Sequence, residues 1–180
     1  MSTLKPSVIL LLIIITYSSG LKAQSDNPSF LLGINPSVTV EPFYQRGEFD
    51  VNIFPLVYQR PLTGRLDLRL TSILNLGVRN AGNQISHAGL ETALPIFLFT
   101  NESPISTGFF LAPILSLTRN RLENHNNLGL WLEPGYQFSI AKKTTLSVGI
   151  QLGATLFDYD ESPNDWGSHF GVNVIIGRWF

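Results

Sequence analysis

The chain has no cysteine, one methionine, and charge on only 14% of its 180 residues. Zero cysteine excludes disulfide frameworks, cysteine zinc sites, thiol catalysis and a cysteine-linked lipid anchor. Ordinary soluble domains carry about 25% charged residues. A formal net charge of −1 lacks the basic footprint that nucleic-acid binding needs. Yet 44% of the residues are hydrophobic and mean hydropathy is +0.16, which is too apolar for disorder. Beyond residue 23 there is no long hydrophobic run. The composition is therefore that of an apolar chain with no helix to cross a membrane.

The one unbroken aliphatic run is Val8 to Ile15. Lys5 precedes it. Ser18-Ser19-Gly20 and Leu21-Lys22-Ala23 follow it, before Gln24. This is the layout of a secretory signal peptide cleaved after Ala23. The run falls short of the roughly 20 residues that a membrane-spanning helix needs. Residues 1–23 are thus read as the export signal and 24–180 as one mature domain.

The mature chain holds no helical apolar spacing. It alternates with period two, which is the mark of strands with two unlike faces. Eight runs are expected, near 30–43, 48–60, 65–79, 85–99, 106–119, 127–140, 144–158 and 168–180. Turn residues such as Gln45-Arg46-Gly47, Asn80-Ala81-Gly82-Asn83 and Ala141-Lys142-Lys143 separate them. The third run sets Leu66, Leu68, Leu70, Leu74, Leu76 and Val78 against Arg65, Asp67, Arg69, Thr71, Asn75 and Arg79.

Alternation alone does not say which face points outward. Four features favour apolar-out. Lysine is missing from the strand middles, although a wet face would carry it. Ten strand glycines share the polar face: Gly33, Gly77, Gly89, Gly108, Gly129, Gly135, Gly149, Gly153, Gly171 and Gly177. A narrow closed interior would use them to seat large neighbours such as Trp131, Tyr58 and Arg69. Aromatics on the apolar face gather at strand ends. Tyr44, Phe49 and Phe170 mark one rim; Phe30, Phe109, Tyr136, Phe138 and Phe180 mark the other, as in interfacial girdles. Last, the chain ends in Trp179-Phe180 after the alternating Val172, Val174 and Ile176.

That ending resembles the terminal aromatic signal of bacterial outer-membrane barrels. The mature chain as a whole resembles a small eight-stranded barrel of the OmpA/OmpX type. The resemblance implies an all-β fold: a closed, antiparallel, up-and-down transmembrane β-barrel in the outer membrane of a Gram-negative bacterium. It implies outer-membrane lipids and lipopolysaccharide as surroundings, and the barrel-assembly machinery as a partner during biogenesis. It implies no cofactor, no metal and no nucleic acid, and a monomer. With an even strand number both termini lie in the periplasm.

The expected lumen holds Glu41, Asp50, Asp67, Arg69, His87, Glu91, Glu133 and Gln137. Charges in a narrow interior must pair, so a salt-bridge network is the expected use. With Trp131, Phe54 and Tyr58 also inside, no continuous aqueous channel is expected. The role read from this is structural or surface-interacting. Alternatives are a narrow gated pore, or an enzyme acting on lipid A or phospholipid acyl groups. The deacylase type of small barrel uses a His-x-Ser dyad, which is absent from the three histidine contexts here. Ser86-His87 with Glu91 puts serine on the face opposite the other two. Asp158, Asp160, Glu161 and Asp165 could offer oxygen ligands to Ca²⁺ but lack EF-hand spacing, so a solvated acidic loop is expected. His125 is read as an exposed loop residue. Pro36, Pro55, Pro95, Pro113 and Pro134 fall inside strands, where each removes a ladder donor. They are read as a ring of bulges, with parity able to slip by one beyond each.

Overall fold

The computed structural model describes residues 28–36, 38–39, 45–99, 105–122, 124–159 and 163–180. The export signal, Glu41, Tyr44, Asp160 and Glu161 lie outside the described residues.

The described chain is all-β. Its strands are β1 (Leu31–Ile34), β2 (Val38–Thr39), β3 (Phe49–Asn52), β4 (Leu56–Pro61), β5 (Asp67–Val78), β6 (Gln84–Ala93), β7 (Ile96–Phe97), β8 (Gly108–Asn120), β9 (His125–Ala141), β10 (Thr144–Tyr159) and β11 (Asp165–Trp179). Every pairing is antiparallel. The pairs β1–β4, β4–β5, β5–β6, β6–β8, β8–β9, β9–β10, β10–β11 and β11–β1 close a ring of eight strands. Closure leaves those strands with a neighbour on both sides, which is how a sheet avoids unpaired edges.

Three of the eight runs are interrupted. Pro36 separates β1 from β2, Pro55 separates β3 from β4, and Pro95 separates β6 from β7. The physical cause is the missing proline N–H. At the second break the Asn52 side chain patches the ladder. Its amide donates to Ser72 O at 3.0 Å, and its Oδ1 accepts from Phe54 N and Leu74 N at 3.1 Å each. Pro113 and Pro134 behave differently. Both sit in unbroken register, Pro113 opposite Leu132 and Pro134 opposite Leu111, so no bulge forms at either.

The break at Pro55 slips parity by one. Asp50 and Asn52 point inward before it, Val57 and Gln59 after it. Phe54 and Tyr58 are therefore not inside. Phe54 is exposed, and Tyr58 sits on the outer face opposite Leu70 and Leu32.

The two faces of the ring have opposite chemistry. Outside lie Leu32, Ile34, Leu90, Leu117, Leu130, Leu132, Ile150, Leu152, Val172 and Ile176, all exposed. Inside lie Asp67, Arg69, Glu91, Glu133, Gln137, Gln151 and Asn173, all buried. A water-soluble sheet is ordered the other way.

Aromatics band the outer face. Near the chain termini Phe30 stacks on Tyr58 and Phe180, with ring centres 5.9 and 5.6 Å apart. Phe109 meets Tyr136 edge-on at 4.7 Å, and Tyr136 meets Phe138 at 4.4 Å. Toward the other end Phe170 is 72% exposed and Trp166 62% exposed; Phe49 pairs with Val78. Val172, Val174, Ile176 and Phe180 share the outer face of β11, whereas Trp179 points inward and donates from Nε1 to Thr145 Oγ1 at 3.2 Å.

Candidate functional site

The candidate site is the interior, and its polar groups form three clusters along the ring. The middle cluster centres on Glu133 of β9. Arg69 of β5 reaches across and donates from Nη2 to both Glu133 oxygens at 2.9 Å. Asn173 of β11 donates at 2.7 Å and Gln151 of β10 at 3.1 Å. Gly149 makes this possible. A Cβ there would come within 2.7 Å of Glu133 Oε1, so the carboxylate occupies the space a side chain would take.

Glu91 of β6 is buried close by but is served differently. Its donor is the same Gln151 Nε2, at 3.4 Å to each oxygen. Two carboxylates thus share one amide, and the guanidinium's hydrogen bonds go to Glu133.

The second cluster lies toward the termini. Gln59 Nε2 and Ser106 Oγ donate to the two Asp67 oxygens at 2.7 and 2.9 Å. Gln137 donates to Ser106 O and accepts from Gln59 at 3.5 Å. Leu31, Val57, Ile105, Ile175 and Trp179 pack as a buried apolar group at this end. Ala93, Phe97, Phe110, Ala112 and Ile114 form another. The terminal half of the interior is consequently filled.

The third cluster lies toward the opposite, hairpin end and surrounds Asp50. Arg79 Nη2 contacts Oδ1 at 2.7 Å, Ser86 Oγ donates to Oδ2 at 2.9 Å, and His87 Nδ1 lies 3.3 Å from Oδ2. Alternation sets Ser86 opposite His87, but the structure places both inside. A β-bulge is responsible. Asn75 pairs with His87 while Leu76 pairs with Ile85, so Ser86 is the extra residue and turns inward. The two side chains aim at one carboxylate, not at each other. Ser86 spends its hydrogen on Asp50, so the imidazole is not placed to take it.

Above the middle cluster the inward residues are only half-buried. Trp131 and His169 stack with ring centres 3.6 Å apart and planes 8° from parallel. They are the two cross-strand neighbours of Gly153. A Cβ at Gly153 would run into the Leu130 carbonyl oxygen first and would lie 2.8 Å from Trp131 Cδ1, so glycine is needed both for the close backbone approach and for the ring beside it. His169 Nε2 lies 3.4 Å from Gln151 Oε1, which ties the stack to the glutamates. His125 is no exposed loop residue. It begins β9, is buried, and its ring centre lies 4.6 Å from Tyr159.

Of the residues read as lumen polar groups, Asp50, Asp67, Arg69, His87, Glu91, Glu133 and Gln137 all face inward, but in three clusters and not one. Gln59, Ser86 and Asn173 belong to those clusters and were not anticipated. The slip at Pro55 concealed Gln59, and the bulge concealed Ser86. Asn173, like Gln151, lies at the polar parity of its strand, a signal that was legible. No group of three or more His, Asp or Glu side chains that could hold a metal ion occurs among the described residues. Asp158 and Asp165 extend β10 and β11, opposite Asn126 and Phe157 respectively.

No family model, curated protein or solved structure matches this chain.

Proposed function

We propose that the chain is an integral outer-membrane β-barrel of structural or surface-interacting role, its lumen closed by its own side chains. The observation that carries this reading is the inverted burial of the closed ring, with aliphatics outside and charges inside. In water such an outer face would cost about 25 cal/mol per Å² of exposed apolar surface. In lipid it costs nothing, and closure satisfies the backbone where no water can. The aromatic bands suit the two membrane interfaces. On this reading both termini lie in the periplasm, residues 1–23 direct export, and Trp179-Phe180 with Val172, Val174 and Ile176 is read by the assembly machinery. Outer-membrane lipids and lipopolysaccharide surround a monomer that needs no cofactor.

The filled terminal half argues against a general pore. The mutual arrangement of Asp50, Ser86 and His87 argues against a serine–histidine hydrolase, because the Ser86 hydroxyl and the His87 ring both turn to Asp50 and not to each other. The test is a charge on the outer face. Leu152 is 48% exposed and lies opposite Leu132 and Phe170. Leu152→Arg is expected to lower unfolding stability in phosphatidylcholine vesicles by about 2–4 kcal/mol. A neutral effect, with the chain remaining soluble without lipid or detergent, would sink the membrane reading. A changed lipid A acyl pattern in a deletion strain would sink the non-enzymatic one.

A further inference from the structure

Charge on the outer surface is not shared evenly between the two ends. Lys142 and Lys143 form the β9–β10 turn. Arg178 on β11 lies opposite Thr144 on one side and Leu32 on the other. Arg60 lies on β4, one residue beyond the Leu31–Gln59 pair, and Arg65 follows in the β4–β5 turn. Five cations thus line one arc across neighbouring elements from β10 to β5. None makes an ion pair with a described acid. The described acid at this end is Asp67, which is buried inside. At the hairpin end, by contrast, Arg79 is held by Asp50, and Glu48, Asp158 and Asp165 are interspersed with the cations.

The arc brackets a ready surface. Arg60 and Arg178 are on the outer parity, in phase with Tyr58 and Ile176. Between them lies the Tyr58–Phe30–Phe180 stack, and Arg178 Cζ lies 5.7 Å from the Phe180 ring centre. Away from the rim the same three strands expose Leu32, Ile34, Leu56 and Ile176. Unpaired like charges repel unless an anion joins them. A guanidinium fits phosphate oxygens in paired geometry. A polar anion at the rim, continued by an aliphatic body along the wall, is the shape of a lipid.

We propose that this arc binds the phosphodiester headgroup of an anionic glycerophospholipid, held by Arg60 and Arg178, with its acyl chains along Leu32, Ile34, Leu56 and Ile176. The proposal rests on the membrane reading above and assigns the termini-facing leaflet its preferred lipid. Lys142, Lys143 and Arg65 add long-range attraction without direct ligation.

The test uses the chain refolded in zwitterionic micelles, with retained lipids counted by native mass spectrometry. Phosphatidylglycerol, phosphatidylcholine and lipid A are titrated separately. Phosphatidylglycerol is expected to be retained over phosphatidylcholine. R60Q/R178Q should weaken that retention roughly tenfold or more, and K142Q/K143Q by less. Heat-shifted gel migration checks that each variant is folded. Equal retention of phosphatidylcholine, retention unmoved by R60Q/R178Q, or lipid A preferred at these residues would each overturn the proposal. A protein that inserts into vesicles yet shows no phosphatidylglycerol preference fails here alone. One that does not insert fails the membrane reading itself.

Discussion

The two halves of the interior are built on different terms. Toward the termini, inward side chains are buried, and polar groups are set among Leu31, Val57, Phe110, Ile175 and Trp179. Toward the hairpins, Asn75, His87, Thr118, Trp131, His169 and Gly171 are only half-buried. The first half excludes water and must therefore match every charge from within. The second is half-buried around the Trp131–His169 stack, and its buried carboxylate, Asp50, is matched locally by Arg79, Ser86 and His87. The border between them runs through Gln151, which touches Glu133, Glu91 and His169.

The sharpest way to break this contrast is to unpair the middle cluster. Arg69 is 1% and Glu133 0% exposed at the side chain, so neither charge can be rescued by water. Arg69→Ala or Glu133→Ala is expected to cost about 3–5 kcal/mol in urea unfolding, because the remaining ion is left buried alone. The double variant R69M/E133L should recover most of that loss, since it removes both charges together. Recovery distinguishes an electrostatic cause from lost packing.

A smaller effect is expected one layer up. Gly153→Ala places a methyl against the Leu130 carbonyl oxygen and the edge of Trp131 and should cost about 1–3 kcal/mol. Near-ultraviolet circular dichroism should lose the Trp131–His169 signature, while the far-ultraviolet strand signal stays. Unchanged near-ultraviolet dichroism would mean that the stack does not depend on glycine.

Glu91 sharpens the comparison further. Glu133 has four close donor contacts, whereas Glu91 has one amide at 3.4 Å. Glu91→Gln should therefore change stability by less than about 1 kcal/mol, or raise it, where Glu133→Gln is costly. Matching losses at the two positions would refute the unequal division of the donors.

The smallest effect belongs to the wet rim. Glu48 accepts from the backbone N–H of Asn80 and of Gln45, both at 3.0 Å, and these bonds hold its carboxyl below the ordinary range. A depressed folded value contributes stability above the ordinary carboxylate pKa. That contribution is lost as pH falls through the folded value. Glu48→Gln should remove this pH dependence and little else, which a carboxylate NMR titration of both proteins would show.

Much of the fold is readable from local pattern. Period-two alternation from residue 65 to 79 assigned Asp67, Arg69 and Thr71 to one face without error, since β5 runs unbroken. The ten strand glycines share that inner face too. Local pattern fails where an element is interrupted. Pro55 moved Gln59 inside and Tyr58 out. The bulge moved Ser86 inside, and the longer β9 and β10 enclosed His125 between strands.

Local pattern in the sequence carried the all-β antiparallel order, the eight-membered ring and the unlike chemistry of the two faces, because each depends on near neighbours in the chain; the split of three runs into two strands apiece it did not carry. Tertiary structure decided which polar groups meet. Arg69 and Glu133 are 64 residues apart, and Gln59 and Gln137 are 78 apart. Such pairs are fixed by ring closure and cross-strand register, and register depends on every break and bulge along the way. Closure also sets β11 and β4 on either side of β1, bringing Arg178 and Arg60 to flank one strand and turning scattered cations of a weakly charged chain into one arc.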